Sequence, residues 1–258
     1  MNALPAFTTL GAGPTLLMLH DSLGGHLTFA PQVESFAGAG YRAMAWDMPG
    51  YGRSAPLDPY NFKNLANSCI ALIEGLRSGP LVLIGHGMGG MVAQEVVARR
   101  PDLVRRLVLC ATLARGFEAS GGTEGEPAAE LAEGQTLSQL AEIYLPRLVG
   151  PGALPEGVML AHHAMGQVNP SAYRRAVAEA SFFNREDALT RIHVPTLLVA
   201  GEFDRAAPPE LMKRMVDRIG PSSTLAVLRG VGHLPQLEAP DDFDSAVLNF
   251  LAIPHTLH

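Results

Sequence analysis

The chain has 258 residues, of which 47% are apolar and 17% are charged, so it is long and apolar enough for one domain with a sizeable core. Its net charge of -6 argues against nucleic acid or an anionic membrane surface as the main partner. The two cysteines, Cys69 and Cys110, are too few for a disulfide framework or a cysteine-based metal site.

The first residues, MNALPAFTTLGAGP, lack the basic start and the long apolar stretch of a secretion signal. No later apolar run is long enough to span a bilayer. We therefore expect a cytoplasmic protein.

Apolar runs bounded by turn residues predict short buried strands, and apolar residues spaced three or four apart predict helices between them. The predicted strands are 7–10, 15–19, 41–46, 81–84, 104–110, 196–200 and 224–228. The predicted helices beside them are 29–39, 61–76, 88–99, 209–219 and 241–251. Because strands and helices alternate, we expect a parallel sheet with right-handed crossovers.

The segment 114–191 interrupts this alternation and contains no predicted strand. It opens with GFEASGGTEGEPAAE, which we expect to form a mobile or loosely ordered loop because it is rich in Gly, Glu and Ala. Helical spacing follows near 137–148, 157–165 and 171–180. We interpret the segment as a helical insertion packed over the sheet.

The stretch VLIGHGMGGMVAQ has the layout of a nucleophile elbow, in which a G-x-S-x-G motif places a serine on a sharp turn between a strand and a helix. Here the five positions read GHGMG, and the central residue is Gly87 rather than serine. The sequence therefore keeps the elbow and lacks the hydroxyl that the elbow presents.

Four further stretches accompany the elbow in a fixed order: LLMLHDS, WDMPGYGRSAP, LLVAGEFDRAAP and GVGHLPQLEAPDDF. Together these motifs resemble the α/β-hydrolase superfamily, and in particular its small capped enzymes such as enol-lactonases, carboxylesterases and C–C bond hydrolases. The resemblance implies an α/β-hydrolase fold, with a mostly parallel central sheet, helices on both faces and an inserted helical cap. The implied core is 1–113 and 192–258, and the implied cap is 114–191.

The resemblance also implies roles for individual residues. Asp204 matches the triad acid, His233 matches the triad base, and Gly87 stands at the nucleophile position. The N–H of Met88 matches one half of the oxyanion hole. The other half is expected from an N–H of the loop 20–23, that of Ser22 or of Leu23.

Two positions depart from the pattern: Gly87 replaces serine, and Asp21 replaces the glycine that commonly follows the oxyanion-loop histidine. Three explanations for Gly87 remain open: an engineered knockout, a natural serine-free enzyme, or a retired enzyme that only binds a ligand. In a serine-free enzyme, His233 would act as a base on water or on the substrate. Ser22 is the best candidate for a substitute nucleophile, although its hydroxyl more simply serves as a hydrogen-bonding group. Haloalkane dehalogenases and epoxide hydrolases need Asp at position 87, so Gly87 argues against them.

We therefore expect an enzyme that acts on a small ester, lactone or C–C bond substrate. The alternatives are a cofactor-free lyase or oxygenase with His233 as base, and a ligand-binding protein. No phosphate-binding or metal-ligand pattern is present, so we expect neither cofactor nor metal. The expected partner is a small-molecule substrate, without nucleic acid or membrane, and a homodimer is left open. The residues expected to contact substrate are His20, Asp21, His86, Tyr144, His162 and Phe183.

Overall fold

A computed structural model of the chain describes residues 4–253. Its strands form one seven-stranded sheet in the order β1-β3-β2-β4-β5-β6-β7. Strand β1 is antiparallel to β3, and the other neighbouring pairs are parallel. In chain order the strands are β1 Phe7–Leu10, β2 Thr15–Leu19, β3 Arg42–Trp46, β4 Leu81–His86, β5 Val104–Cys110, β6 Thr196–Gly201 and β7 Ser223–Leu228.

Helices connect the strands and cover both faces of the sheet, as the alternating pattern predicted. They are α1 Ala30–Gly38, α2 Phe62–Leu76, α3 Met88–Arg99, α4 Leu137–Leu148, α5 Pro155–Gly166, α6 Pro170–Ser181, α7 Pro209–Ile219, α8 Pro235–Glu238 and α9 Pro240–Ala252. Apolar residues of α1 and α9 share one buried cluster, whereas those of α2, α3 and α7 belong to the cluster on the opposite face.

Alternate residues of a strand point to opposite faces of a sheet, and the two clusters follow this rule. Leu17 and Leu19 of β2 belong to the larger cluster, while Leu16 and Met18 belong to the smaller one. Because both faces are covered, all five residues of β2 are buried. The central strands therefore read as continuous apolar runs rather than as alternating ones.

Helices α4, α5 and α6 lie between β5 and β6 in the chain, within the segment 114–191 that was predicted to be helical. The Gly-, Glu- and Ala-rich stretch before α4, expected to be loosely ordered, is tied to the rest of the molecule. The Glu126 N–H donates to the Arg205 carbonyl oxygen at 2.9 Å, and the Glu124 carboxylate pairs with Arg214 at 2.7 Å. This stretch is thereby held beside the loop that follows β6.

The predicted strands and helices agree with the structure within two residues at each end, and one short helix was not predicted. Strand β4 extends to His86, so the strand runs directly into the turn at Gly87. Helix α8 was not predicted, because four residues are too few to show a helical period. Within residues 4–253, none of the helices has the length and apolar character needed to cross a membrane. Residues 1–3 and 254–258 of the predicted core lie outside the described residues.

Candidate active site

The chain turns sharply between β4 and α3, and Gly87 lies at the bend. Its φ of 53° and ψ of -120° fall where glycine is comfortable and other residues are strained. The Gly87 N–H donates to the Cys110 carbonyl oxygen at 3.0 Å, and the Thr112 hydroxyl donates to the Gly87 carbonyl oxygen at 2.6 Å. The backbone therefore adopts a strained elbow, but presents a hydrogen atom where a side chain would stand.

Asp204 follows β6 and His233 follows β7, so the parallel sheet brings both loops to the edge where β4 ends. The His233 Nδ1–H donates to Asp204 Oδ2 at 2.9 Å. Asp204 Oδ1 accepts the N–H groups of Ala206 and Ala207 at 2.9 and 3.0 Å, which fixes the carboxylate. Both side chains are buried. The acid and the base, 29 positions apart in the chain, therefore form a hydrogen-bonded pair.

The electrostatic environment makes His233 a cation at neutral pH. Burial alone would lower the pKa of His233, but the charge and hydrogen bond of Asp204 and the charge of Asp21 outweigh burial and raise the pKa to about 9. Burial would likewise raise the pKa of Asp204, but the charge of His233 holds it below its usual value. The resting pair is therefore an imidazolium beside a carboxylate.

The Asp21 side chain occupies the space next to Gly87. A Cβ atom placed on Gly87 would lie 2.8 Å from the Asp21 Cβ and closer still to its carboxylate, so the two cannot coexist without movement. Asp21 Oδ1 accepts the Met88 N–H at 2.7 Å, and Oδ2 accepts the Ser22 hydroxyl at 3.4 Å. The N–H expected to line an oxyanion hole is thus already occupied by a carboxylate.

Asp21 remains charged in this position. Burial would raise the pKa of Asp21, but the neighbouring His86 and His233 and the N–H groups of Met88 and Ser22 outweigh it and lower the pKa. The centre of the site therefore holds two carboxylates, of Asp21 and Asp204, on either side of one imidazolium.

A cavity of about 100 Å³ opens above the turn at Gly87. Asp21, Ser22, Leu23, Met88 and His233 line its floor, and residues of α3, α4, α6 and the loops after β5 and β6 line the rest. The lining is mostly apolar, which suits a small substrate with an apolar body. The further residues that line it include Met91, Leu113, Phe117, Tyr144, Leu148 and Val177.

The residues expected to contact substrate fall into two groups. Asp21 and Tyr144 line the cavity, and the Tyr144 hydroxyl donates to the Pro127 carbonyl oxygen at 3.3 Å. The structure places the other four, His20, His86, His162 and Phe183, outside its lining.

Packing explains where these four residues lie. His20 Nε2 accepts the Met48 N–H at 2.9 Å, and its Nδ1–H donates to the Asp21 carbonyl oxygen at 2.7 Å, so His20 shapes its own loop. The His86 Nε2–H donates to the His233 carbonyl oxygen at 2.7 Å beneath the site. Phe183 packs its ring 4.5 Å from that of Phe62, and His162 is half-buried on α5.

Comparison with known proteins agrees with this fold. Residues 16–246 match the sequence profile described as Alpha/beta hydrolase family. The chain belongs to the alpha/beta hydrolase family. The α/β-hydrolase fold predicted from the motifs is thereby confirmed.

Three of the similar proteins have names that describe hydrolases or an esterase. The chain is 28% identical to 3-oxoadipate enol-lactonase 2 of Acinetobacter baylyi, covering 93% of this chain and 90% of that one. It is 27% identical to 2-hydroxy-6-oxononadienedioate/2-hydroxy-6-oxononatrienedioate hydrolase of Pseudomonas sp, over 92% and 87%. A solved thermophilic esterase from Thermogutta terrifontis, with malate bound, superposes with a TM-score of 0.81 at 27% identity, covering 95% and 92%.

Two residues of this α/β hydrolase hold the site and were not singled out in the sequence. Thr112 anchors the turn at Gly87, as described above. The Glu238 carboxylate accepts three backbone N–H groups, those of Gly150, Gly232 and Leu234, at 2.7 to 2.8 Å. It thereby ties the chain just after α4 to the loop that carries His233. The single acidic residue in the stretch HLPQLEAP was the signal that could have identified Glu238.

Among residues 4–253, no group of three His, Cys, Asp or Glu side chains is arranged to hold a metal ion. The reactive groups of the site are those of Asp21, Asp204 and His233, together with the hydroxyls that border the cavity. These groups can hold charge, donate and accept protons, and, in the case of a carboxylate, attack an electrophile.

Proposed function

We propose that this α/β hydrolase acts on a small ester, lactone or C–C bond substrate without a serine nucleophile. The observation that carries the proposal is the His233–Asp204 pair, hydrogen-bonded at 2.9 Å and facing a cavity whose floor is the turn at Gly87. The names of the similar enol-lactonase, C–C bond hydrolase and esterase support the same substrate classes.

The state of His233 defines its first task. Because its pKa is raised to about 9, the imidazole carries a proton at neutral pH and acts first as a proton donor. It can stabilise the oxygen on which negative charge develops, which matters because Asp21 already occupies the Met88 N–H. Asp204 keeps the proton of Nδ1 in place and so holds the imidazole in orientation.

Without a hydroxyl at Gly87, a water molecule attacks the acyl carbon in ester or lactone hydrolysis, the Asp21 carboxylate takes the proton of that water, and His233 gives its proton to the leaving oxygen. The reaction then proceeds without an acyl-enzyme intermediate on position 87, and product should form without an initial burst.

A substrate panel tests the proposal on the unmodified chain. The panel contains p-nitrophenyl esters of short acids, five- and six-membered lactones, and a vinylogous diketone. We expect steady turnover of at least one class and a loss of about 1000-fold or more in His233→Gln. His163→Ala is the matched control, because His163 is exposed on α5 and does not line the cavity.

Two outcomes contradict the proposal. Turnover that is equal in His233→Gln and in the unmodified chain would place the chemistry elsewhere. Tight binding of a lactone with no turnover of any class would favour the ligand-binding alternative.

A further inference from the structure

The sequence departs from the family pattern at Gly87 and at Asp21, and the structure shows that these two departures share one volume. The Asp21 carboxylate lies where the side chain of residue 87 would begin, because a Cβ there would overlap the Asp21 Cγ and Oδ1. The site is therefore not empty at the nucleophile position. It holds a carboxylate that arrives from the loop after β2 instead of from the turn itself.

The setting of this carboxylate is that of an attacking group. Asp21 lines the cavity, is 8% exposed and stays ionised. Its Oδ1 is held by the Met88 N–H at 2.7 Å, while Oδ2 contacts the Ser22 hydroxyl at 3.4 Å, and the Ser22 N–H also helps to hold the carboxylate. Of the two oxygens, Oδ2 is the less firmly held by these side-chain contacts and is the one assigned to react.

The chemistry of a carboxylate decides which substrate suits it. Attack on an acyl carbon would give an anhydride, which is less stable than the ester that was broken. Attack on a saturated carbon gives an ordinary ester, and that product is stable enough to be an intermediate. A saturated carbon also needs no oxyanion hole in the first step, so the occupied Met88 N–H is no obstacle.

We propose that Asp21 is the catalytic nucleophile of this site and that its substrate class is a small epoxide, opened at a saturated ring carbon. The proposal goes beyond the function proposed above: it uses the same His233–Asp204 pair but assigns a different electrophile. Gly87 argues against an epoxide hydrolase only if the attacking carboxylate must belong to residue 87. Here the carboxylate of Asp21 occupies that volume.

The first step forms one bond and breaks one. Asp21 Oδ2 attacks a ring carbon, the C–O bond of the epoxide breaks, and the ring oxygen takes the proton of His233. The product is a hydroxyalkyl ester of Asp21 beside a neutral imidazole. Esterification also removes the negative charge of Asp21, one of the groups that raise the pKa of His233, so the imidazole becomes a better base for the next step.

The second step regenerates the site. Neutral His233 takes a proton from water, and the hydroxide attacks the Asp21 Cγ. The resulting oxyanion is held on Oδ1 by the Met88 N–H, which is where an oxyanion donor is needed. The alkoxide leaves with the proton of His233, and the protonated Asp21 returns its own proton to His233. The balance is one epoxide and one water consumed and one diol formed.

Isotope labelling tests the proposal on the unmodified chain. Propylene oxide and styrene oxide are supplied in oxygen-18 water, and the Asp21-containing peptide and the diol are analysed by mass spectrometry. With enzyme in excess, we expect an unlabelled diol from the first turnover and heavy oxygen in the Asp21 carboxylate. Protein kept in the same water without epoxide corrects for exchange. Heavy oxygen in the first diol, with none in Asp21, would overturn the proposal.

Asp21→Asn gives an independent readout, because the amide is similar in size and can still accept the Met88 N–H. We expect epoxide turnover to fall about 1000-fold or more while the thermal unfolding midpoint shows that the variant is folded. Asp102→Asn is the matched control, since Asp102 is an exposed carboxylate outside the cavity. Unchanged turnover in folded Asp21→Asn would contradict a nucleophilic role.

The two proposals can fail separately. Ester or lactone hydrolysis that depends on His233, with no turnover of either epoxide, would overturn the role of Asp21 and leave the function proposed above standing. Epoxide turnover with labelled Asp21, and no activity on esters or lactones, would support this inference and remove the ester class.

Discussion

The two halves of the site differ in how closely they follow the pattern that the sequence resembles. Asp204 and His233 match it in residue type and in geometry, with their hydrogen bond at 2.9 Å. Gly87 and Asp21 depart from it, and their departures meet in one volume. Two departures from the family pattern in distant loops, each a defect when considered alone, therefore form one structural feature when they pack together.

The largest effect is expected from Asp204→Asn, which changes the half of the site that follows the family pattern, Asp204 and His233. An amide does not stabilise the imidazolium of His233 as a carboxylate does and can hold the ring in the wrong tautomer. We expect kcat/KM for any substrate of the cavity to fall by about 1000- to 10,000-fold. Steady-state kinetics check this, with exposed Asp102→Asn as control. A change of less than about tenfold would mean that Asp204 is only structural.

The position of His233 also depends on Glu238, whose carboxylate ties the His233 loop to the chain after α4. Glu238→Ala would leave the buried N–H groups of Gly150, Gly232 and Leu234 without their acceptor. We expect the free energy of unfolding to fall by about 3 kcal/mol or more, measured by urea denaturation. Glu210→Ala, at an exposed position on α7, should change it by less than about 0.5 kcal/mol. Equal effects of the two variants would show that the hydrogen bonds of Glu238 do not stabilise the fold.

The two halves are linked by charge, and the pKa of His233 reports that link. Asp21 helps to raise this pKa to about 9, so Asp21→Asn should lower it. Because the pKa in the folded protein exceeds the usual histidine pKa of 6.5, the proton on His233 stabilises the fold fully below pH 6.5. That contribution is lost as the pH rises through about 9. A histidine NMR titration measures both proteins, with His233→Gln to assign the signal. If the pKa of His233 is near 6.5 and Asp21→Asn does not change it, the charge of Asp21 does not act on His233.

A smaller effect concerns the turn itself. Thr112→Val keeps the shape of the side chain but removes the hydroxyl that donates to the Gly87 carbonyl oxygen. We expect about 1 kcal/mol less stability, since that oxygen keeps the N–H groups of Gly90 and Met91 as partners. Thr123→Val, at an exposed position, is the control and should be close to neutral in urea denaturation. Equal midpoints for the two variants would show that the Thr112 bond does not stabilise the turn.

Much of the fold could be predicted because local patterns encode it. Buried parallel strands read as apolar runs, and α3 and α7 have the predicted bounds because their apolar spacing is interrupted sharply by glycine and proline. Helix α8 was missed because a single turn has no period. The antiparallel pairing of β1 with β3 is likewise set by tertiary context, which a strand of four residues does not carry in its sequence.

Only the site residues that a local sequence motif identifies could be predicted. Motif order identified Asp204 and His233, but nothing in either local sequence shows that residues 21 and 87 compete for space. The same limit explains Phe183, whose apolar character does not say whether it packs against Phe62 or faces a substrate. Pairs that meet across loops are fixed by packing, and a one-dimensional pattern leaves them unspecified.

A double-mutant cycle between positions 21 and 87 measures whether Asp21 fills the volume that Gly87 leaves. The free energies of unfolding are compared for the unmodified chain, Gly87→Ser, Asp21→Gly and the double variant. A serine alone collides with the Asp21 carboxylate, and Asp21→Gly alone leaves the Met88 N–H without its acceptor. We predict that the double variant is about 1–3 kcal/mol more stable than the sum of the single changes implies. Additivity within about 0.5 kcal/mol would contradict the account.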